Sequence, residues 1–159
     1  LFPENFLIAE RIGCRDPSSS KKRALQELAK LLSLSAPELN EDAVFDKLLE
    51  RERLGSTGLG YGIALPHARV TGIEEARGAF LQLEAPIPFD SVDNHPVDLI
   101  FGLLVPESAT EEHLQLLAKL AKLFHDPQFC ARLRAAQNPG EVLDRILHHT
   151  TEEPDACSG

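Results

Sequence analysis

Leu25, Leu28, Ala29 and Leu32 recur at three- and four-residue spacing, which predicts a helix over 21–32 with an apolar stripe facing a core and Ser20 as its N-cap. Val44, Phe45, Leu48 and Leu49 repeat the pattern and predict a second helix that follows Asn40 and stops near Gly55. The period then changes. Short apolar stretches at 62–67, 77–83 and 97–105 predict strands, and the unbroken run from Leu99 to Val105 marks at least one of them as buried on both faces. Three prolines between 84 and 96 predict a loop between strands. Helical spacing returns over 111–124, with Thr110 as the expected N-cap. Asp126-Pro127 and Asn138-Pro139 each open a further helix, the latter with Glu141 three residues after the cap. Helices on either side of strands predict one layered α/β domain.

A chain of 159 residues suits a single core, large enough to bury about two thirds of its unfolded surface. The expected organisation is an N-terminal arm and linker over 1–20, where Asp16, Pro17 and three serines interrupt any pattern, a domain over 21–149, and a polar, acidic, frayed tail over 150–159. No apolar run approaches the ~20 residues that span a bilayer. Glu4, Glu10 and Arg11 break up residues 1–13, which therefore do not read as a signal peptide, and a cytoplasmic location is expected. Cys14, Cys130 and Cys157 are odd in number and widely spaced, so neither a disulfide framework nor a thiolate metal site is expected. The formal charge of -9, without a basic stripe, disfavours nucleic acid. It also disfavours free phosphate, so a protein phosphoryl donor fits better. Lys21, Lys22 and Arg23 occupy a helix first turn, where the macrodipole opposes positive charge. They read as a solvated basic end in preference to a docking patch.

The chemistry concentrates in residues 51–69, RERLGSTGLGYGIALPHAR. Glycines at 55, 58, 60 and 62 permit tight turns and close approach, and Pro66 biases Leu65 towards extended backbone, so His67 is presented at a loop rim. A neutral imidazole is a competent nucleophile near neutral pH, and Arg51 and Arg69 on either side suit a phosphoryl group. Arg51 also fits a plain helix-end cation, and Ser56 and Thr57 fit either an anion-binding turn or an ordinary one. By spacing alone, His67 is as well explained as a structural histidine capping a strand. The glycines lack the Gly-Lys-Ser/Thr ending of a nucleotide loop and lead into a strand, so nucleotide binding is not expected. A metal shared by His67 and His113 is not expected either, since no cysteine or carboxylate triad accompanies them.

The segment 51–69, with LQLEAPIPFDSVDNHPVDLIFGLLVP over 81–106, EEHLQLLAKLAKLF over 111–124, CARLRAAQ over 130–137 and SKKRALQELAKLLS over 20–33, resembles the fructose- and mannitol-type enzyme IIA domains of the bacterial phosphotransferase system, within it the nitrogen-regulatory type. The resemblance implies a central mixed β-sheet flanked by helices and a histidine, His67, that accepts phosphate through Nε2 from an HPr-like carrier protein. It implies Arg51 as a phosphate clamp and His113 as a second histidine that hydrogen-bonds the site without carrying phosphate. Arg69, Ser56 and Thr57 are supporting phosphate-binding candidates. No cofactor is implied, and the partners would be the HPr-like carrier and regulated proteins, with weak homo-oligomerisation left open. The rival functions are a sugar-specific IIA that passes phosphate to a fructose or mannitol permease and a regulatory binding module without turnover. Ala68 departs from the glycine common in the family, and a positive φ there would strain it.

Overall fold

The structure, a computed structural model, describes residues 5–34, 36–108 and 111–158. Among these residues six strands form one mixed sheet: β1 (Ile12–Asp16), β2 (Gly58–Gly60), β3 (Ile63–Ala64), β4 (His67–Val70), β5 (Arg77–Ile87) and β6 (Val97–Pro106). Their order is β1-β5-β6-β3-β2, with β4 also paired to β6. β1 runs parallel to β5, β5 antiparallel to β6, and β3 and β4 parallel to β6. The α/β class and the mixed sheet expected from the sequence are both present.

Alternation along the central strands divides the core in two. Leu99, Phe101, Leu103 and Val105 of β6 face α3 (Glu111–Phe124), α4 (Pro127–Ala135) and α5 (Pro139–Ser158), while Ile100 and Leu104 face α1 (Lys21–Leu32) and α2 (Glu41–Leu54). Leu25, Leu28 and Leu32 of α1 are fully buried, and each such side chain contributes about 1.5–3 kcal/mol by leaving water. Gly102 lets this packing happen: a Cβ there would lie 2.5 Å from Leu28 Cδ2. On the other face Phe124 meets Phe80, Phe101 and Phe129 at 5.6–6.2 Å between ring centroids. That cluster anchors the C-terminal end of α3 and so fixes where its N-terminal end, with His113, can lie.

The expected caps at Ser20, Asp126 and Asn138 form, accepting from Arg23 N, Gln128 N and Glu141 N, and Asn40 likewise caps the second helix by accepting from Ala43 N. Thr110 lies outside the described residues. Three expectations need correction. Residues 13–16, read as linker, belong to β1 and pair with β5, because the flanking Ile12 is buried and the strand has a sheet edge to join. β5 extends four residues beyond the expected end at 83, with irregular pairing to β6 between Gln82 and Ile87 that accommodates Pro86. α5 carries helical backbone past Thr150, into the stretch read as a tail.

The expected strand at 62–67 is two strands in line. Ile63 opposes Leu99 and His67 opposes Leu103, the same offset on β6, so β3 and β4 occupy one lane interrupted at Leu65-Pro66. Pro66 has no N–H for the ladder. Leu65 N instead donates to Thr57 O at 3.0 Å, outside the β6 pairing. His67 therefore begins β4 rather than ending a strand. Ala68 pairs with Leu104, is buried, and is not among the residues with positive φ, so no strain arises there.

Candidate active site

The last turn of α2 and the start of β4 meet beside the first turn of α3. α2 brings Arg51 and Glu52, β4 brings His67, and α3 brings His113. Between them the chain reverses through Gly60, Tyr61 and Gly62, all at positive φ, which only the glycines adopt freely. Asp93 steadies the tip by accepting from Tyr61 N at 2.9 Å. At its base, Arg134 holds Asp98 with two bonds of 2.8 and 2.9 Å and donates to Tyr61 O at 3.0 Å.

His67 is half-buried, with Nδ1 2.9 Å from Leu65 O. A carbonyl can only accept, so Nδ1 carries the proton and the Nε2 lone pair is available. The His67 and His113 rings stand perpendicular, at 87°, with centroids 5.9 Å apart. His113 is buried, and its Nδ1 has no hydrogen-bond partner among the described residues. A buried lone pair is tolerated better than a buried orphan N–H, which favours the proton on Nε2.

Both imidazoles are held neutral. Burial depresses the His67 pKa below its ordinary value, Arg51 adds to the effect, and the bond to Leu65 O and the charge of Glu52 oppose it. Burial also depresses His113, assisted by His67 and Arg69.

Arg51 is half-buried and donates from Nη1 to Gly55 O at 2.9 Å, which holds the guanidinium over the end of its own helix. Arg69 is exposed on β4. The sequence had offered Ser56 and Thr57 as hydroxyl donors for phosphate, and here the geometry differs. Ser56 Oγ donates to Phe89 O at 2.7 Å and accepts from Gly58 N at 3.0 Å. The Thr57 hydroxyl donates to the Glu52 carboxylate, which also accepts from Thr57 N at 3.2 and 3.3 Å. Both hydroxyls shape the loop from within.

Sequence reasoning missed Glu52, which is buried and forms an ion pair with Lys21 Nζ at 2.9 Å. Lys21 also lies 4.8 Å from the centre of the Phe89 ring. Its place in a basic first turn suggests a solvated end, and the ion pair corrects that expectation. The signal was present: Lys21 in a first turn and Glu52 in a last turn each oppose their helix dipole. Among the described residues no group of three or more His, Cys, Asp or Glu side chains is arranged to hold a metal ion.

A paired-histidine site beside an arginine, on this mixed sheet, can be set against known proteins. The family model for the phosphoenolpyruvate-dependent sugar phosphotransferase system, EIIA 2, matches residues 5–149. The chain belongs to that family. It is 48% identical over 144 residues to a nitrogen regulatory protein of Pseudomonas aeruginosa, a match covering 91% of this chain and 93% of the relative. The crystal structure of nitrogen regulatory protein IIA-Ntr from Neisseria meningitidis superposes with a TM-score of 0.84 at 42% identity, covering 89% of this chain and 96% of that one. The mannitol IIA of Escherichia coli, at 24% identity and a TM-score of 0.72 over 88% of this chain and 98% of that one, shares the fold. This EIIA chain is accordingly a component of a phosphotransfer system, and no described helix is long and apolar enough to cross a membrane.

Proposed function

We propose that this EIIA chain is a cytoplasmic phosphoryl carrier of the nitrogen-regulatory type, in which His67 Nε2 accepts a phosphoryl group from the phosphohistidine of an HPr-like protein. One observation carries the reading: the bond from His67 Nδ1 to Leu65 O leaves Nε2 unprotonated at the edge of a half-buried ring. In the transfer, the P–N bond of the donor histidine breaks as a P–Nε2 bond forms, in line and without a net proton change at His67. Arg51 neutralises charge on the moving group, and His113 donates from Nε2 to a phosphoryl oxygen. Arg69 contributes longer-range positive charge. Phosphorylation adds roughly 1.5 to 2 negative charges at the protein surface, by analogy with other phosphoresidues. That is enough to alter contact with regulated partner proteins.

The test is incubation with phosphoenolpyruvate, enzyme I and an HPr-like carrier, followed by phosphosite mapping. An acid-labile, alkali-stable label on His67 alone is expected, and full labelling of His67→Ala would defeat the assignment. Addition of a fructose- or mannitol-type IIB domain separates this reading from a sugar-specific role, since efficient onward transfer would favour the latter.

A further inference from the structure

We propose that Glu52 is a positioning residue for His67, acting through Thr57 and Leu65; the proposal rests on the phosphoryl-carrier reading for its consequence in transfer. An unbroken series of hydrogen bonds connects the two side chains. The Glu52 carboxylate accepts from both N and Oγ1 of Thr57, Thr57 O accepts from Leu65 N at 3.0 Å, and Leu65 O accepts from His67 Nδ1 at 2.9 Å. The Thr57–Leu65 link continues the β2–β3 pairing by one step, and the Leu65–His67 link lies outside the ladder bonds of β4. Leu65 lies in the break between β3 and β4, and Pro66 beside it has no N–H, so the Leu65 carbonyl is oriented by its two flanking anchors: Leu65 N on Thr57 O, and Pro66 O accepting from Leu103 N at 3.0 Å. That carbonyl selects the His67 tautomer.

The carboxylate is built to hold this place. Glu52 and Thr57 are both buried, with 6% and 5% of their surfaces exposed. Lys21 from α1 closes the remaining side of the carboxylate at 2.9 Å and reaches Asp90 at 3.6 Å. A carboxylate buried at this depth is strongly penalised by desolvation unless it is fully engaged, and its described partners are the Thr57 donors and one lysine. Arg51 precedes it in the chain and holds Gly55 O, so the same turn sets the guanidinium and the imidazole. Loss of Glu52 would free the Thr57 amide, let the Leu65 carbonyl rotate, and release the His67 ring from a single tautomer.

The tautomer can be read directly, without any phosphoryl donor, from ring ¹⁵N chemical shifts of the unphosphorylated protein at a pH above the His67 pKa. The wild type should show Nδ1–H alone. Glu52→Ala should show a mixture with substantial Nε2–H and a fall of roughly tenfold in the single-turnover rate of His67 phosphorylation, the equivalent of one lost hydrogen bond. Glu52→Gln, which still offers an oxygen to Thr57, should fall between. Thr57→Ser should retain the wild-type tautomer and Thr57→Val should shift it, which keeps the test decisive if Glu52→Ala does not fold. A lowered melting temperature with an unchanged tautomer in the folded variants would reduce Glu52 to a structural role and overturn the proposal. If wild-type protein accepts no phosphate, the carrier reading fails while the tautomer shift still decides the role of Glu52.

Discussion

Replacing Arg51 with alanine should separate the two things this side chain does. The guanidinium holds Gly55 O through Nη1 at 2.9 Å, and its positive charge depresses the pKa of His67. A charge-assisted hydrogen bond contributes about 1.5–3 kcal/mol. Arg51 is only half-buried, so the lower part of that range applies, and loss of one such bond to the transferring group slows the step roughly ten- to fortyfold. Arg51→Lys should recover part of the rate, because an ammonium restores charge but not the two-pronged geometry. The fold should persist, since a cation at a helix C-terminus contributes about 0.3–1 kcal/mol.

The electrostatic sign gives an independent check. Arg51 lowers the His67 pKa, so its removal must raise it, against the continuing effect of burial and with Glu52 and Leu65 O now less opposed. Quench-flow transfer from a phosphorylated HPr-like carrier measures the rate, and NMR titration of His67 measures the pKa. A folded Arg51→Ala protein with wild-type transfer kinetics would refute the clamp. An unchanged or lowered His67 pKa would refute the placement of the charge.

His113→Gln should retain more transfer activity than His113→Ala, because an amide can still donate to a phosphoryl oxygen, and both should remain labelled at His67; equal rates in wild type and both variants would exclude the second histidine from the site. The pH dependence of stability follows from the same two residues. Their folded pKa values lie below the ordinary ~6.5 of the unfolded chain, so as pH falls below about 6.5 the unfolded state takes up protons first and stability declines towards the folded pKa values. Denaturant titrations between pH 7.5 and 5 should show that slope, and His113→Gln should flatten it; a slope unaltered by the substitution would place the His113 pKa at its ordinary value.

How much of this was legible before the structure depends on the range of the interaction concerned. Caps at Ser20, Asp126 and Asn138 were readable because each concerns a side chain and an N–H two or three residues on. The apolar run of β6 was readable because both of its faces are covered. β1 was not, since Gly13 to Asp16 has little apolar patterning and becomes a strand only when β5 supplies an edge. The interruption at Pro66 was visible as a proline, but its effect, sending Leu65 N to Thr57 O, depends on the loop lying alongside. His67, Arg51 and His113 could be named together from the family resemblance. Their separation in sequence hides that the rings meet edge to face at 5.9 Å.

Lys21 and Glu52 show a different kind of legibility. Each sits at the helix end whose dipole repels its charge, a local penalty of about 0.3–1 kcal/mol apiece. Taken singly, each is a minor misfit of the sort that solvent screens. Taken as a pair they have one economical explanation, because the N-terminal turn of α1 and the C-terminal turn of α2 approach each other, and an ion pair of 2.9 Å between them offsets both misfits. The buried member then has donors from Thr57 as well, so a carboxylate that the dipole disfavours is held by stronger local bonds. The residue with the poorest local fit in α2 is thereby the one that ties α1, the glycine-rich loop and the carbonyl behind His67 into a single arrangement.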